Sequence, residues 1–96
     1  MDNFENIKSI FHNLSDINRL KIVYFIGDSE KSVGEVVEYL GLSQPLVSHH
    51  LKKLRECGIL NTSRKGPFVN YYLSENKFLE YIDNFKLIKN NIYENK

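Results

Sequence analysis

The chain contains almost nothing from which a disulfide scaffold, a membrane anchor or a thiolate metal cage could be built. Its single cysteine, Cys57, excludes an intrachain disulfide and any Cys-x-x-Cys pair for zinc or redox work. No apolar run approaches the roughly 18 residues that cross a bilayer. The N-terminus, Met1-Asp2-Asn3-Phe4-Glu5, lacks the basic start and apolar centre of a signal peptide. A reducing, cytoplasmic setting with no membrane partner is therefore expected. There is no His-Glu-x-x-His, no phosphate-cradling glycine loop followed by Lys and Ser/Thr, and no nucleophile with a base and an orienting group in sequence context. No enzyme is expected. Internal repeats and low-complexity linkers are missing too.

What is present fits one small domain spanning residues 1–96, because a single core grows efficiently to about 100 to 150 residues. At 42% hydrophobic residues the chain is too apolar to stay disordered. The net charge of +1 does not by itself announce a nucleic-acid binder. Its distribution says more. Between Ser43 and Gly66, five cations (Lys52, Lys53, Arg55, Arg64, Lys65) face Glu56 alone, a local +4. The rest of the chain carries eight basic and eleven acidic residues, or −3. A basic segment on an acidic body suggests a directed electrostatic footprint.

Phe4, Ile7, Ile10, Phe11 and Leu14 recur at helical spacing and predict a first helix over about residues 3–14. Asp16 is placed to cap a second helix, with Leu20, Val23, Tyr24 and Gly27 on its inner face and Arg19 and Lys21 solvated. Ser32 followed by Glu35 is a capping-box signature opening a short helix that Gly41 ends. Ser43 caps the next helix, and Pro45 is tolerated in its first turn because the early N–H groups have no intrahelical acceptor. Two helices joined by a three-residue, glycine-bearing turn make a helix-turn-helix.

Val47, Leu51 and Leu54 form the buried stripe of that last helix, while Gln44, Pro45, Ser48, His49 and Lys52 line its other side. After Gly58 the period falls to about two. Ile59–Arg64 and Phe68–Leu73 read as strands of a β-hairpin reversed at Lys65-Gly66-Pro67, with only one of Tyr71 and Tyr72 able to face the core. From about residue 75 to 93 a final helix carries Phe78, Ile82, Phe85, Ile88 and Ile92 on one stripe, more than a small core can cover. The expectation is a mainly α fold with a small β-hairpin, in the order α-α-α-α-β-β-α. Phe4, Ile7, Phe11, Phe78, Ile82, Phe85 and Ile88 would form a dimer interface through the terminal helices.

Leu14-Ser15-Asp16-Ile17-Asn18-Arg19-Leu20-Lys21-Ile22, the run from Leu42 to Leu54, Gly58-Ile59-Leu60 and Tyr71-Tyr72-Leu73 together resemble the ArsR/SmtB family of bacterial and archaeal winged-helix repressors. The resemblance runs from about Ile10 to Leu73. It implies a cytoplasmic homodimer, on the nucleoid when bound, that holds an inverted-repeat double-stranded operator and releases it to an inducer. Family inducers are usually metals or metalloids, and here the chain departs from the pattern. The helix before the turn reads Ser32-Val33-Gly34-Glu35-Val36 where a Cys-x-Cys would lie, and residues 74–96 hold no histidine or cysteine. No metal or other cofactor is expected, and no inducer is identified.

The residues expected to contact DNA are Ser43, Gln44, Pro45, Ser48, His49, Lys52 and Lys53 on the recognition helix, with Arg64, Lys65 and Gly66 at the hairpin tip. Gln44 can pair bidentately with adenine, and Ser48 and His49 can serve base edges. The cations position the protein on phosphates. His49 and His50 point about 100° apart on a helix and do not grip one ion together; a DNA contact and a partly packed ring are expected instead. Cys57 reads as packing, or as an oxidisable thiol able to shift the recognition helix. Two competing classes are a metal- or redox-responsive repressor with an atypical site, which would bind metal stoichiometrically or respond through Cys57, and a dimerising module without salt-sensitive DNA binding.

Overall fold

The structure is a computed structural model that describes residues 4–74. Helix α1 (Phe4–Leu14) turns Ile10 and Leu14 onto the core and leaves Phe4, Ile7 and Phe11 exposed. Two residues on, the Asp16 carboxylate accepts the backbone N–H groups of Asn18 and Arg19 at 2.9 and 3.0 Å and so starts α2 (Ile17–Ile26). The Arg19 N–H is the main reason this carboxyl titrates below its ordinary value. Such a cap satisfies N–H groups that have no helical acceptor.

The inner face of α2 differs from the expected one. Ile22, Val23 and Ile26 are buried, whereas Leu20 and Tyr24 are 38% and 46% exposed and Arg19 is half-buried. A run of apolar residues around most of this short helix left its rotation undetermined by periodicity. Tertiary packing selected the Ile22–Ile26 edge.

Strand β1 (Lys31–Ser32) precedes α3 (Val33–Leu40), and this strand is absent from the expected order. Two residues carry no readable period. They become a strand only by pairing with the hairpin of β2 (Leu60–Lys65) and β3 (Phe68–Leu73), Lys31 opposite Tyr71 and Ser32 opposite Asn70. The sheet is antiparallel, in the order β1-β3-β2. The expected hairpin is thus two-thirds of a three-stranded sheet. A last helix over about 75–93, with Phe78, Ile82, Phe85 and Ile88, lies outside the described residues.

Helix α4 (Gln44–Glu56) crosses this framework. Its Val47, Leu51 and Leu54 join Ile22, Val23, Ile26, Val36, Ile59, Leu60 and Leu73 in one buried cluster. Fully burying each such aliphatic side chain contributes about 1.5–3 kcal/mol, an upper estimate because unfolded chains already hide some surface. A second clamp joins α2 to α3: Phe25 stacks on Tyr39 with ring centres 4.1 Å apart, and Lys31 Nζ lies 5.1 Å from the Phe25 centroid. Among the described residues no helix is long and apolar enough to cross a membrane.

Candidate nucleic-acid interface

Three local devices place α4. The capping box of α3 is complete: Glu35 N–H donates to Ser32 Oγ at 3.2 Å, and Ser32 N–H donates to Glu35 Oε1 at 3.0 Å. That second bond holds the Glu35 carboxyl below its usual range. Gly41 ends α3 at φ +68, a left-handed conformation that side chains disfavour, and its N–H returns to Val37 O. After the three-residue turn Gly41–Ser43, Ser43 Oγ accepts Leu46 N–H at 3.4 Å, a long N-cap, and Pro45 occupies the first turn.

On α4 the buried row is Val47, His50, Leu51 and Leu54. Pro45, His49, Lys52 and Glu56 run down the opposite side, flanked by Gln44 and Ser48, and all are exposed. The expected recognition residues of this helix therefore share one solvent-facing surface. Lys53 is exposed as well but sits at the margin, where it lines a cleft shared with Asn13, Arg19 and Cys57. Leu46, 41% exposed at the first turn, belongs to the same end of the helix and was not anticipated. Its position two residues after Gln44 was the available signal; an apolar side chain there has the chemistry to meet a thymine methyl.

The two neighbouring histidines separate as their helical angle requires. His49 is exposed, and His50 is buried with its ring centre 6.0 Å away. Arg19 Nη1 lies 3.2 Å from His50 Nδ1, and Arg19 Nε donates to Asn13 O at 3.0 Å. A guanidinium only donates, so Nδ1 is the acceptor and the neutral ring carries its proton on Nε2. The expectation that Arg19 stays solvated is corrected by these two bonds. Burial, the largest influence, lowers the pKa of His50 from its ordinary 6.5; Asp16 opposes the shift, and Arg19 and His49 add to it.

The hairpin turns at Gly66-Pro67, between the paired residues Lys65 and Phe68. Gly66 has φ +62, and proline fixes the next φ near −65°, the pattern of a two-residue hairpin turn with glycine first. Arg64 is exposed and has no ion pair among the described residues. Lys65 is different. Its Nζ lies 3.3 Å from Glu30 Oε2, and the other Glu30 oxygen accepts the Ser63 hydroxyl. These contacts, Ser63 first, hold the Glu30 carboxyl below its normal range. The hairpin tip therefore offers one cation outright and a second shared with a carboxylate. At the far end of α4, Cys57 is 8% exposed, its thiol donates to Leu54 O, and it packs with the core cluster at the edge of the cleft it shares with Lys53 and Arg19.

The protein thus presents a helix-turn-helix with its polar helix face turned to solvent and a basic two-stranded wing, and comparisons with known proteins agree with this arrangement. The model of the bacterial regulatory protein arsR family matches residues 16–62. The chain is 31% identical over 68 residues to the transcriptional repressor SdpR of Bacillus subtilis (strain 168), covering 71% of this chain and 76% of that one. The chain belongs to the arsR family. Its fold matches HlyU from Vibrio cholerae N16961 with a TM-score of 0.80 at 31% identity, over 91% of this chain and 95% of that one. At 16% identity, the homodimeric winged helix-turn-helix DNA-binding domain Mb0332 from Mycobacterium bovis matches the fold with a TM-score of 0.84, over 97% of this chain and 86% of that one. This arsR-family chain is thus a winged helix, with the wing formed by β2 and β3.

Proposed function

We propose that this arsR-family protein is a homodimeric transcriptional repressor that binds an inverted-repeat duplex operator. The observation that carries the reading is the two-sided α4. Its inner row is locked into the core, and its outer row offers Gln44, Ser48, His49 and Lys52 to solvent. In helix-turn-helix proteins the first turns of this helix meet base edges in the major groove. Gln44 and Ser48 read bases, His49 donates or accepts, and Ser43 and Pro45 set the helix start. Lys52 and Lys53 reach phosphates, and Arg64, Lys65 and Gly66 lie against the neighbouring backbone. SdpR carries the name of a transcriptional repressor, which supports the direction of regulation.

Dimerisation uses the exposed face of α1, where Phe4 and Phe11 are 71% and 68% exposed and Ile7 45%. Three large apolar groups on one helix face are costly in water. The homodimeric state of the Mb0332 domain supports this reading. Two recognition helices would then meet successive major grooves about 34 Å apart.

The test is selection of bound duplexes from a random pool with the purified protein, followed by sedimentation. An enriched inverted repeat and a dimer are expected, with Phe11→Glu converting the dimer to monomer and weakening operator binding at least tenfold. Failure to enrich any repeat would refute the reading.

A further inference from the structure

The Arg19–His50 contact joins the recognition helix to the rest of the molecule through a ring that can gain a proton. His50 lies on the buried face of α4, 6% exposed. Its partner Arg19 is also bonded to the Asn13 carbonyl of α1, and the Asn13 side chain donates to Ser9 O one turn earlier on the same helix. The chain of contacts therefore runs from α1, whose other face carries Phe4, Ile7 and Phe11, through α2, to the inner side of α4. A cleft of about 270 Å³ is lined by Arg19 together with Asn13 and Lys53, so Arg19 itself is open to solvent there.

We infer that Arg19 and His50 form a proton-gated latch that positions the recognition helix, and that acidification opens it and releases DNA. This rests on the DNA-binding reading above. The latch is made only while His50 Nδ1 has a free lone pair to accept the Arg19 N–H. A proton added at Nδ1 turns the acceptor into a donor, removes that bond and sets two cations 3.2 Å apart at a largely buried position. The charges acting on the ring are Asp16 and Arg19 from α2 and His49 from its own helix; Asp16 favours the protonated form, and Arg19 and His49 oppose it. On the cleft side α1 contributes His12, and α4 contributes Lys53 and Glu56. No charged group of α3 or β2 among the described residues acts on His50.

Burial is the largest influence and disfavours the cation, so the latched ring titrates below 6.5. The sign follows. The contact is fully present above about 6.5 and is lost as the pH falls through the lower, latched value. DNA needs α4 in the latched position, so a proton that prefers the open one competes with DNA. Protonating the exposed His49 acts in the opposite direction, since a cation on the DNA face favours binding.

The experiment therefore uses a His49→Gln protein and a duplex selected with that same variant at pH 7.5, with affinity measured at pH 7.5 and 5.5 at constant ionic strength. A loss of roughly five- to tenfold is expected on acidification, because the open ring takes up the proton more readily than the latched one. Adding His50→Gln, whose amide oxygen accepts from Arg19 but does not titrate, should leave affinity flat within about twofold. A loss that survives His50→Gln overturns the latch. An arm that needs no DNA follows the histidine ring protons of the free wild-type protein by NMR. There His50 should titrate below 6.5, and Arg19→Gln should raise its midpoint; an ordinary midpoint that Arg19→Gln leaves unmoved also overturns the latch. Selection that enriches no duplex would instead remove the DNA-binding reading, and the NMR arm distinguishes the two failures.

Discussion

The recognition helix and the wing are both basic, yet they hold their cations in different ways. Helix α4 is fixed by apolar burial on one side, so Lys52 on the other side has no structural duty. The wing is a two-residue turn on a thin sheet, and its Lys65 helps to hold it by pairing with Glu30. Hydrophobic burial is non-directional and leaves the opposite face free, whereas an ion pair uses the same charge that a phosphate would take. The difference divides the surface into a helix that presents chemistry and a wing that trades some of it for placement.

The largest effect that would break this contrast lies under α4. Leu51 is fully buried, so Leu51→Ala should lower stability by about 2–5 kcal/mol in urea unfolding, through lost transfer energy and the cavity left behind. A cost below about 1 kcal/mol would mean that burial does not fix the helix. Next comes Lys52→Ala, which should leave stability within about 0.5 kcal/mol. Its mark is on DNA: affinity for selected and random duplexes falls by a similar factor, and the dependence on log salt flattens by about one phosphate's worth. An unchanged slope would remove Lys52 from the interface.

The smallest effect concerns the wing. Glu30→Gln releases Lys65, so the salt dependence should steepen by less than one unit while folding is nearly unaffected. The same tether responds to pH. Because the Glu30 carboxyl is held below 4.5, its contribution is complete above that value and fades as the pH falls through the lowered one. A salt slope for Glu30→Gln identical to that of the unaltered protein at neutral pH would show that Lys65 contributes equally to DNA whether paired or not.

Much of this was legible in the chain. The caps at Asp16, Ser32 and Ser43, the stop at Gly41 and the hairpin turn are local, set by residues within three or four positions of one another, and each formed where its chemistry predicted. The outer face of α4 was readable for the same reason, since 3.6-residue periodicity assigns faces once the buried stripe is recognised. Other features needed partners from far along the sequence. Strand β1 exists because Tyr71 and Asn70 lie beside it, the Glu30–Lys65 pair spans 35 positions, and the Arg19–His50 contact spans 31. No local pattern marks such pairings.

The sequence alone thus determined where the helices start and stop, which side of the recognition helix faces outward, and that one histidine of the His49-His50 pair would turn inward. Only the tertiary structure decided which edge of α2 is buried, that the wing is the outer part of a three-stranded sheet, which wing cation is already paired, and that the inward histidine meets an arginine. The physical reason is range: caps, turns and helical periodicity are satisfied by neighbours, whereas packing rotation, edge pairing and buried polar contacts are settled by whatever the whole fold brings alongside.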